Sequence, residues 1–163
     1  MKFTIRQATE KDISTVLSFI RELAEFERLA HEVEASEALL RESLFGGRPC
    51  AEVIFGCVDD EPVAFAVFFH NFSTFLGRQG LYLEDLYVKP AFRKQGIGRE
   101  ILIHLAQIAK ARNCGRFEWA VLNWNKRAIE FYESLGAAGL KEWTIYRVTG
   151  AGLEHLAERA EAP

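Results

Sequence analysis

LYLEDLYVKPAFRKQGIGREILIHLAQIAKAR, residues 81–112, carries the organisation of this chain. Leu81, Tyr82, Leu83, Leu86, Tyr87 and Val88 form a β-prone run that Pro90 brings to an end. Beyond a glycine-bearing basic loop, Ile97, Ile101, Leu102, Leu105, Ile108 and Ala109 recur at helical spacing, which predicts an amphipathic helix with one buried face. A strand that enters a helix through such a loop makes an anion site, because unpaired backbone N–H groups and the positive end of the helix dipole meet there. Gly96 and Gly98 allow close backbone approach, and Arg93 and Lys94 add positive charge. Glu84 and Asp85 interrupt the apolar strand; carboxylates in that position must be desolvated, paired or used.

Working outward, Lys2–Gln7 alternates as a first strand, and Thr9 with Asp12 forms a capping-box pair ahead of a helix whose face is Ile13, Val16, Leu17, Ile20, Leu23, Ala24 and Glu27. Ser36 and Glu37 open a short helix through Leu44, closed by Gly46 and Gly47. Ala51–Val58 and Val63–Phe72 read as a hairpin joined at Asp59–Pro62, and the run VAFAVFF, apolar on both faces, belongs in the middle of a sheet. Ser73–Gly80 reads as a connection. After the central helix, Arg116–Leu122 predicts a buried strand, and a helix runs from Asn123-Trp124-Asn125 to Leu135, stopped by Gly136. Leu140–Val148 predicts a final strand and Leu153–Ala160 a tail helix. The expected fold is α/β, a mixed sheet with helices on both faces in a single domain over residues 1–163.

Composition narrows the function classes. Apolar residues make up 49% and charged residues 26%, which are ordinary globular values. A formal net charge of −3 gives no broad footprint for nucleic acid, so the basic loop is a local feature. Cys50, Cys57 and Cys114 have no C-x-x-C spacing, and His31, His70, His104 and His155 no metal-ligand spacing, so neither a disulfide framework nor a metal site is expected. The N-terminus has no apolar core of signal length and no run approaches the ~18 residues of a membrane span. A cytoplasmic protein is the expectation.

Arg93–Gly98 fits the pattern R/Q-x-x-G-x-G/A. It lacks the Lys-Ser/Thr of a Walker loop and the G-x-G-x-x-G of dinucleotide folds, which leaves a pyrophosphate held by main-chain donors as its natural ligand. Bland readings stand beside this one. Two glycines can simply open a helix, Tyr132 can be a core residue in line with Ile129 and Leu135, and Glu84 can be half of an ion pair. Asp85 can point to the opposite side of the strand and pair structurally.

YLEDLYVKPAF with its loop, NWNKRAIEFYESLGA and RELAEFERL together resemble the GCN5-related N-acetyltransferases, and within them the diamine acetyltransferases, from Phe3 to about Trp143. The resemblance implies a mostly antiparallel sheet, acetyl-CoA as donor, direct transfer without an acyl-cysteine, and a homodimer. It assigns Leu86, Tyr87 and Val88 to the pantetheine arm and thioester. Arg93, Lys94, Gln95, Gly96, Ile97, Gly98 and Arg99 fall to the pyrophosphate, and Asn125, Lys126, Arg127 and Ala128 to a second cofactor segment. Tyr132 is implied as proton donor to the leaving thiolate, and Glu84 as the base that works through water. A base is needed because a lysine-like amine, with a pKa of about 10.4, is mostly protonated at neutral pH. A backbone N–H at Leu86, freed by a bulge, is expected at the oxyanion.

For the acceptor, the matching positions are Phe26, Glu27, Ser73, Thr74, Phe75, Glu84, Asp85, Glu118, Trp119 and Trp143. Ser73-Thr74-Phe75 stands where the polyamine enzymes carry an acidic residue before Pro-Trp. With fewer carboxylates in the cleft, a small amine that brings its own carboxylate, thialysine or a lysine-like amino acid, is expected ahead of spermidine. Two other readings are acetylation of a protein N-terminus or lysine, and a CoA-binding sensor without turnover.

Overall fold

The computed structural model describes residues 2–158. Two compact units make up the chain, one ending at Ala120 and the other beginning at Val121.

The first unit is built on a five-stranded sheet of order β1-β2-β3-β4-β5. Its strands are β1 Phe3–Gln7, β2 Glu52–Val58, β3 Glu61–Ser73, β4 Arg78–Val88 and β5 Phe117–Trp119. Neighbours run antiparallel except β4 and β5, which are parallel and joined through helix α3, Ile97–Ala111. Helices α1, Ile13–Glu27, and α2, Glu37–Phe45, fill the connection between β1 and β2. The mixed, mostly antiparallel sheet expected from the sequence is therefore present.

Helices flank both faces, and the sequence explains how. Phe55 pairs with Phe65 and Gly56 with Ala64, so bulky and small residues alternate along β2 and β3. The bulky face meets α1: Val16, Phe19 and Leu23 pack with Phe55, Phe65 and Tyr87, and the Phe19 and Phe65 rings stack at 5.1 Å. The small face meets α3, whose Ile97, Ile101, Leu102, Leu105 and Ala109 are buried. A Cβ on Gly56 would stand 3.2 Å from the Ile101 Cδ1, so the glycine lets helix and sheet close up.

Local signals held at several points. Asp12 accepts from the Thr9 N–H at 2.8 Å and from the Thr9 hydroxyl at 2.9 Å, in a single 3-10 turn before α1. The Ser36 hydroxyl accepts from the Leu39 N–H and caps α2. The β2–β3 turn is only Asp59 and Asp60, both with positive φ (48° and 69°), the backbone a two-residue hairpin demands.

Elsewhere the expectations need correction. The proposed connection Ser73–Gly80 is shorter than expected, since β3 runs to Ser73 and β4 starts at Arg78, leaving only residues 74–77 as the turn. The buried strand expected over Arg116–Leu122 is the three half-buried residues of β5. In the second unit, α4 covers Lys126–Ser134 and α5 covers Gly150–Glu158; residues 159 and 160 of the expected tail helix lie outside the described residues. The final strand over Leu140–Val148 is not formed; these residues are exposed and irregular. Alternation marks a chain suited to a ladder, but a strand exists only where another strand accepts its hydrogen bonds.

Candidate active site

β4 pairs with β5 only from Leu81↔Phe117 to Leu83↔Trp119, while its pairing with β3 continues to Val88. From Glu84 onward, no strand among the described residues pairs with the β5 side of β4, which is an open edge. Which backbone groups face that edge follows from the register. Leu83 stands opposite Phe68 and Asp85 opposite Val67, so Glu84 is one extra residue, a β-bulge. The Leu81 N–H donates to Arg116 C=O, away from β3, which makes Leu81↔His70 a non-hydrogen-bonded pair. Pairs alternate along β3, so Leu86↔Ala66 and Val88↔Ala64 are of the same kind. Leu86 and Val88 thus turn their N–H and C=O groups to the open edge, and Tyr87 turns its own to β3. Without Glu84 the phase would be reversed.

The bulge also gathers charge. Asp85 shares the α1 face with Val67, which packs on the aromatic core, and it is half-buried where Glu84 is exposed. Burial raises the Asp85 carboxyl to about 6, and the negative charges of Glu84 and Glu27 add to the shift. Burial also raises the carboxyl of Glu27, the last residue of α1. On the same face the Tyr82 phenol is pushed up by burial and then by Glu84 and Glu118, and its ring lies 5.1 Å from that of Phe69. Tyr82 and Phe69 were missed in the sequence, although Tyr82 alternates in phase with Glu118 across the ladder.

Several expected acceptor residues already have structural partners. Glu118 accepts from the Asn71 side-chain amide at 2.9 Å and stands 2.7 Å from the Arg116 Nε as an ion pair. The Ser73 hydroxyl is buried and accepts from the Leu76 N–H, holding the β3–β4 turn. Thr74 and Phe75 sit in that turn, Phe75 fully exposed. Trp119 shares its register with Leu83, on the α3 face, and packs against Phe117 with ring centres 4.9 Å apart. Phe26 lies beside Tyr87 at 6.5 Å.

At the end of β4 a 3-10 turn, Pro90–Phe92, leads into the loop. Lys94 and Gly96 take positive φ, 64° and 84°, and Gly96 caps α3. The first bond of the helix runs from the Glu100 N–H to the Gly96 C=O, so the N–H groups of Ile97, Gly98 and Arg99 precede the ladder. A Cβ on Gly98 would meet only the Val88 Cγ2, at an ordinary 3.9 Å. Packing does not require this glycine, and the space beside it at the helix end is free. Lys94, Gln95 and Arg99 are exposed, whereas Arg93 is half-buried and its Nε donates to the Val88 C=O at 2.8 Å.

In the second unit, the Asn125 side chain accepts from the Ala128 N–H and caps α4, with Lys126 and Arg127 exposed. Tyr132 is half-buried on that helix, its ring 5.5 Å from Phe131. Trp143 is exposed in the irregular segment.

A model of the acetyltransferase (GNAT) family matches residues 17–137, most of the chain and all of the strand, loop and helix just described. The chain belongs to the GNAT family. It is an N-acetyltransferase, and GNAT enzymes in general draw the acetyl group from acetyl-CoA. This GNAT chain is 39% identical over 166 residues to the thialysine N-epsilon-acetyltransferase of Mus musculus, covering 95% of this chain and 97% of that protein. It is 30% identical to the L-ornithine N5-acetyltransferase of Arabidopsis thaliana, over 93% of this chain and 86% of that one. Among solved structures, an integron cassette protein from the mobile metagenome of V. cholerae matches with a TM-score of 0.81 at 31% identity, over 97% of this chain and 99% of that chain. Among the described residues no group of His, Cys, Asp and Glu could hold a metal, and no helix is long and apolar enough to cross a membrane.

Proposed function

We propose that this GNAT enzyme transfers the acetyl group of acetyl-CoA directly to the side-chain amine of a small basic amino acid, thialysine or a lysine-like acceptor. The observation that carries the reading is the open edge of β4, which leads through the Pro90–Phe92 turn into the loop at the N-terminus of α3. An extended amide-bearing arm can add to that edge as a strand would, through the outward groups of Leu86 and the Val88 N–H, the Val88 C=O being held by Arg93. The same alignment brings a thioester oxygen to the Leu86 N–H, where charge develops as the amine attacks. Lys94–Arg99 would then receive the pyrophosphate. The residues present fit such a donor, because Gly98 leaves free the space that a side chain would fill.

The acceptor amine must lose a proton before it attacks, and Glu84, exposed at the bulge, is the proposed acceptor of that proton through water. Tyr132 is the proposed donor to the departing thiolate, whose parent thiol has a pKa of about 8.5. The relatives named for thialysine and L-ornithine support an amino-acid acceptor. So does the pairing of Glu118 with Asn71 and Arg116, which leaves fewer carboxylates for a polycation.

Free-thiol release from acetyl-CoA, followed against thialysine, lysine, ornithine, spermidine and a short peptide, tests the reading. Turnover on the amino acids, reduced about tenfold or more in Glu84→Gln and in Tyr132→Phe, about 1.4 kcal/mol of barrier each, is the expected result. A preference for spermidine would overturn the acceptor, activity on the peptide alone would indicate a protein substrate, and CoA binding without turnover would indicate a sensor.

A further inference from the structure

Arg93 opens the glycine loop, and its charge invites the reading of a phosphate ligand. Its surroundings give it another task. The Nε–H donates to the Val88 C=O, which the β4 register turns to the open edge. The guanidinium carbon lies 4.5 Å from the centre of the Phe26 ring and 5.3 Å from that of Tyr87. Phe26 stands in the last turn of α1, one residue before Glu27, and Tyr87 stands between the two β4 residues that face outward. The positive charge that remains exposed belongs to Lys94 on the loop and Arg99 in the first turn of α3.

We infer that Arg93 is a positioning residue: it ties the acceptor end of α1 to the thioester edge of β4, and the donor's phosphates are left to its neighbours. The chemistry suits arginine alone. A planar guanidinium can lie against aromatic faces while its Nε–H donates in the plane, whereas an ammonium is a point charge that cannot do both in one geometry. A shift of Phe26 is thereby passed to Val88, two residues from the Leu86 N–H. In this way one side chain couples the place of the amine to the place of the carbonyl.

The inference rests on the acetyl-CoA reading above, and the test separates the two. Arg93→Lys, Arg93→Met and Lys94→Met are compared with acetyl-CoA and with acetyl-pantetheine, which carries the thioester but no phosphate. The expected result is that both Arg93 variants lose kcat/KM by about the same factor, tenfold or more, with either donor and raise KM for the amine, while Lys94→Met loses only with acetyl-CoA. An Arg93 defect that disappears with acetyl-pantetheine would overturn the assignment in favour of a phosphate ligand. Thermal unfolding of the free protein supplies a second reading, through Arg93→Met, Phe26→Leu and the double variant. Non-additive losses are expected, and additive ones would overturn the tie. That cycle needs no substrate, so it decides the role of Arg93 even if no amine is turned over, a result that would count against the enzymatic reading instead.

Discussion

The Asn71 amide donates to the Glu118 carboxylate at 2.9 Å although their strands, β3 and β5, are separated by β4. The residue that lies between them is Gly80, paired with Asn71, and its missing side chain makes the span possible. A Cβ there would stand 2.4 Å from the Asn71 Oδ1 and 2.9 Å from the Arg116 Cγ. Gly80→Ala is expected to cost about 1–3 kcal/mol by overpacking. At this chain length that lowers Tm by about 2–4 °C per kcal/mol. In an Asn71→Ala background much of the loss should vanish, since the nearest clash is gone; an unchanged loss would place the strain at Arg116 instead.

Gly98 separates folding from binding. Because a Cβ at this position meets only the Val88 Cγ2 at 3.9 Å, Gly98→Ala should leave Tm within about 1 °C of the parent or raise it slightly, alanine being the better helix former. CoA affinity should fall by about tenfold, or ~1.4 kcal/mol, when measured by calorimetry. Unchanged affinity would mean that the phosphates lie elsewhere.

Asp85 predicts an inverted pH dependence. Its folded carboxyl holds a proton up to about pH 6. Unfolded, it releases the proton near pH 4. Between these values the folded state binds more protons, so the contribution of Asp85 to stability falls as pH rises through that window. Asp85→Asn should therefore gain on the parent by about 2 kcal/mol between pH 4 and pH 7, read from urea midpoints. Asp12 and Glu52, held below the usual carboxylate range chiefly by hydrogen bonds from Arg6 and Arg112, act in the opposite sense as pH falls, and they cancel in the difference. A gap that does not change with pH would sink the prediction.

Phe19 is the residue around which the α1 face closes, with Phe55, Phe65 and Tyr87 all within ring contact. Phe19→Ala should cost about 3–5 kcal/mol, enough to remove much of the stability of a chain this size. Ile20→Ala, at a half-buried position, should cost less. Chemical denaturation of the two variants tests the order.

That pair also marks how far the sequence could be read. Helical spacing included every buried residue of α3, with the half-buried Ile108 beside them, and most of the α1 face, but it took Ile20 and left out Phe19, because the spacing locates a stripe and not the neighbour that fills its deepest point. The adjacent carboxylates Glu84 and Asp85 were legible as an anomaly. What the residues could not reveal is that the anomaly is a bulge, since a bulge exists only in the register of two strands. For the same reason Leu140–Val148 alternates like a strand without being one. Residue type marked Lys94 as a charge at the loop, and the structure leaves that side chain exposed. At Ser73, Arg93 and Trp119 the sequence could not show the partners that the structure supplies, the Leu76 N–H, the Val88 C=O and the Phe117 ring.

One inserted residue in β4 also governs how such a chain can change length. The backbone of the strand is addressed by parity, and Glu84 resets the count, so the four positions from Asp85 to Val88 behave like a reading frame. Lengthening the β3–β4 hairpin by whole pairs, upstream of Glu84, leaves every later address intact. A single insertion downstream would exchange outward and inward groups at once, turning the amides of Leu86 and Val88 toward β3 while leaving each side chain's identity unchanged. Tolerance to insertion in this protein should therefore be sharply one-sided about Glu84, generous toward the hairpin tip and absent toward the loop.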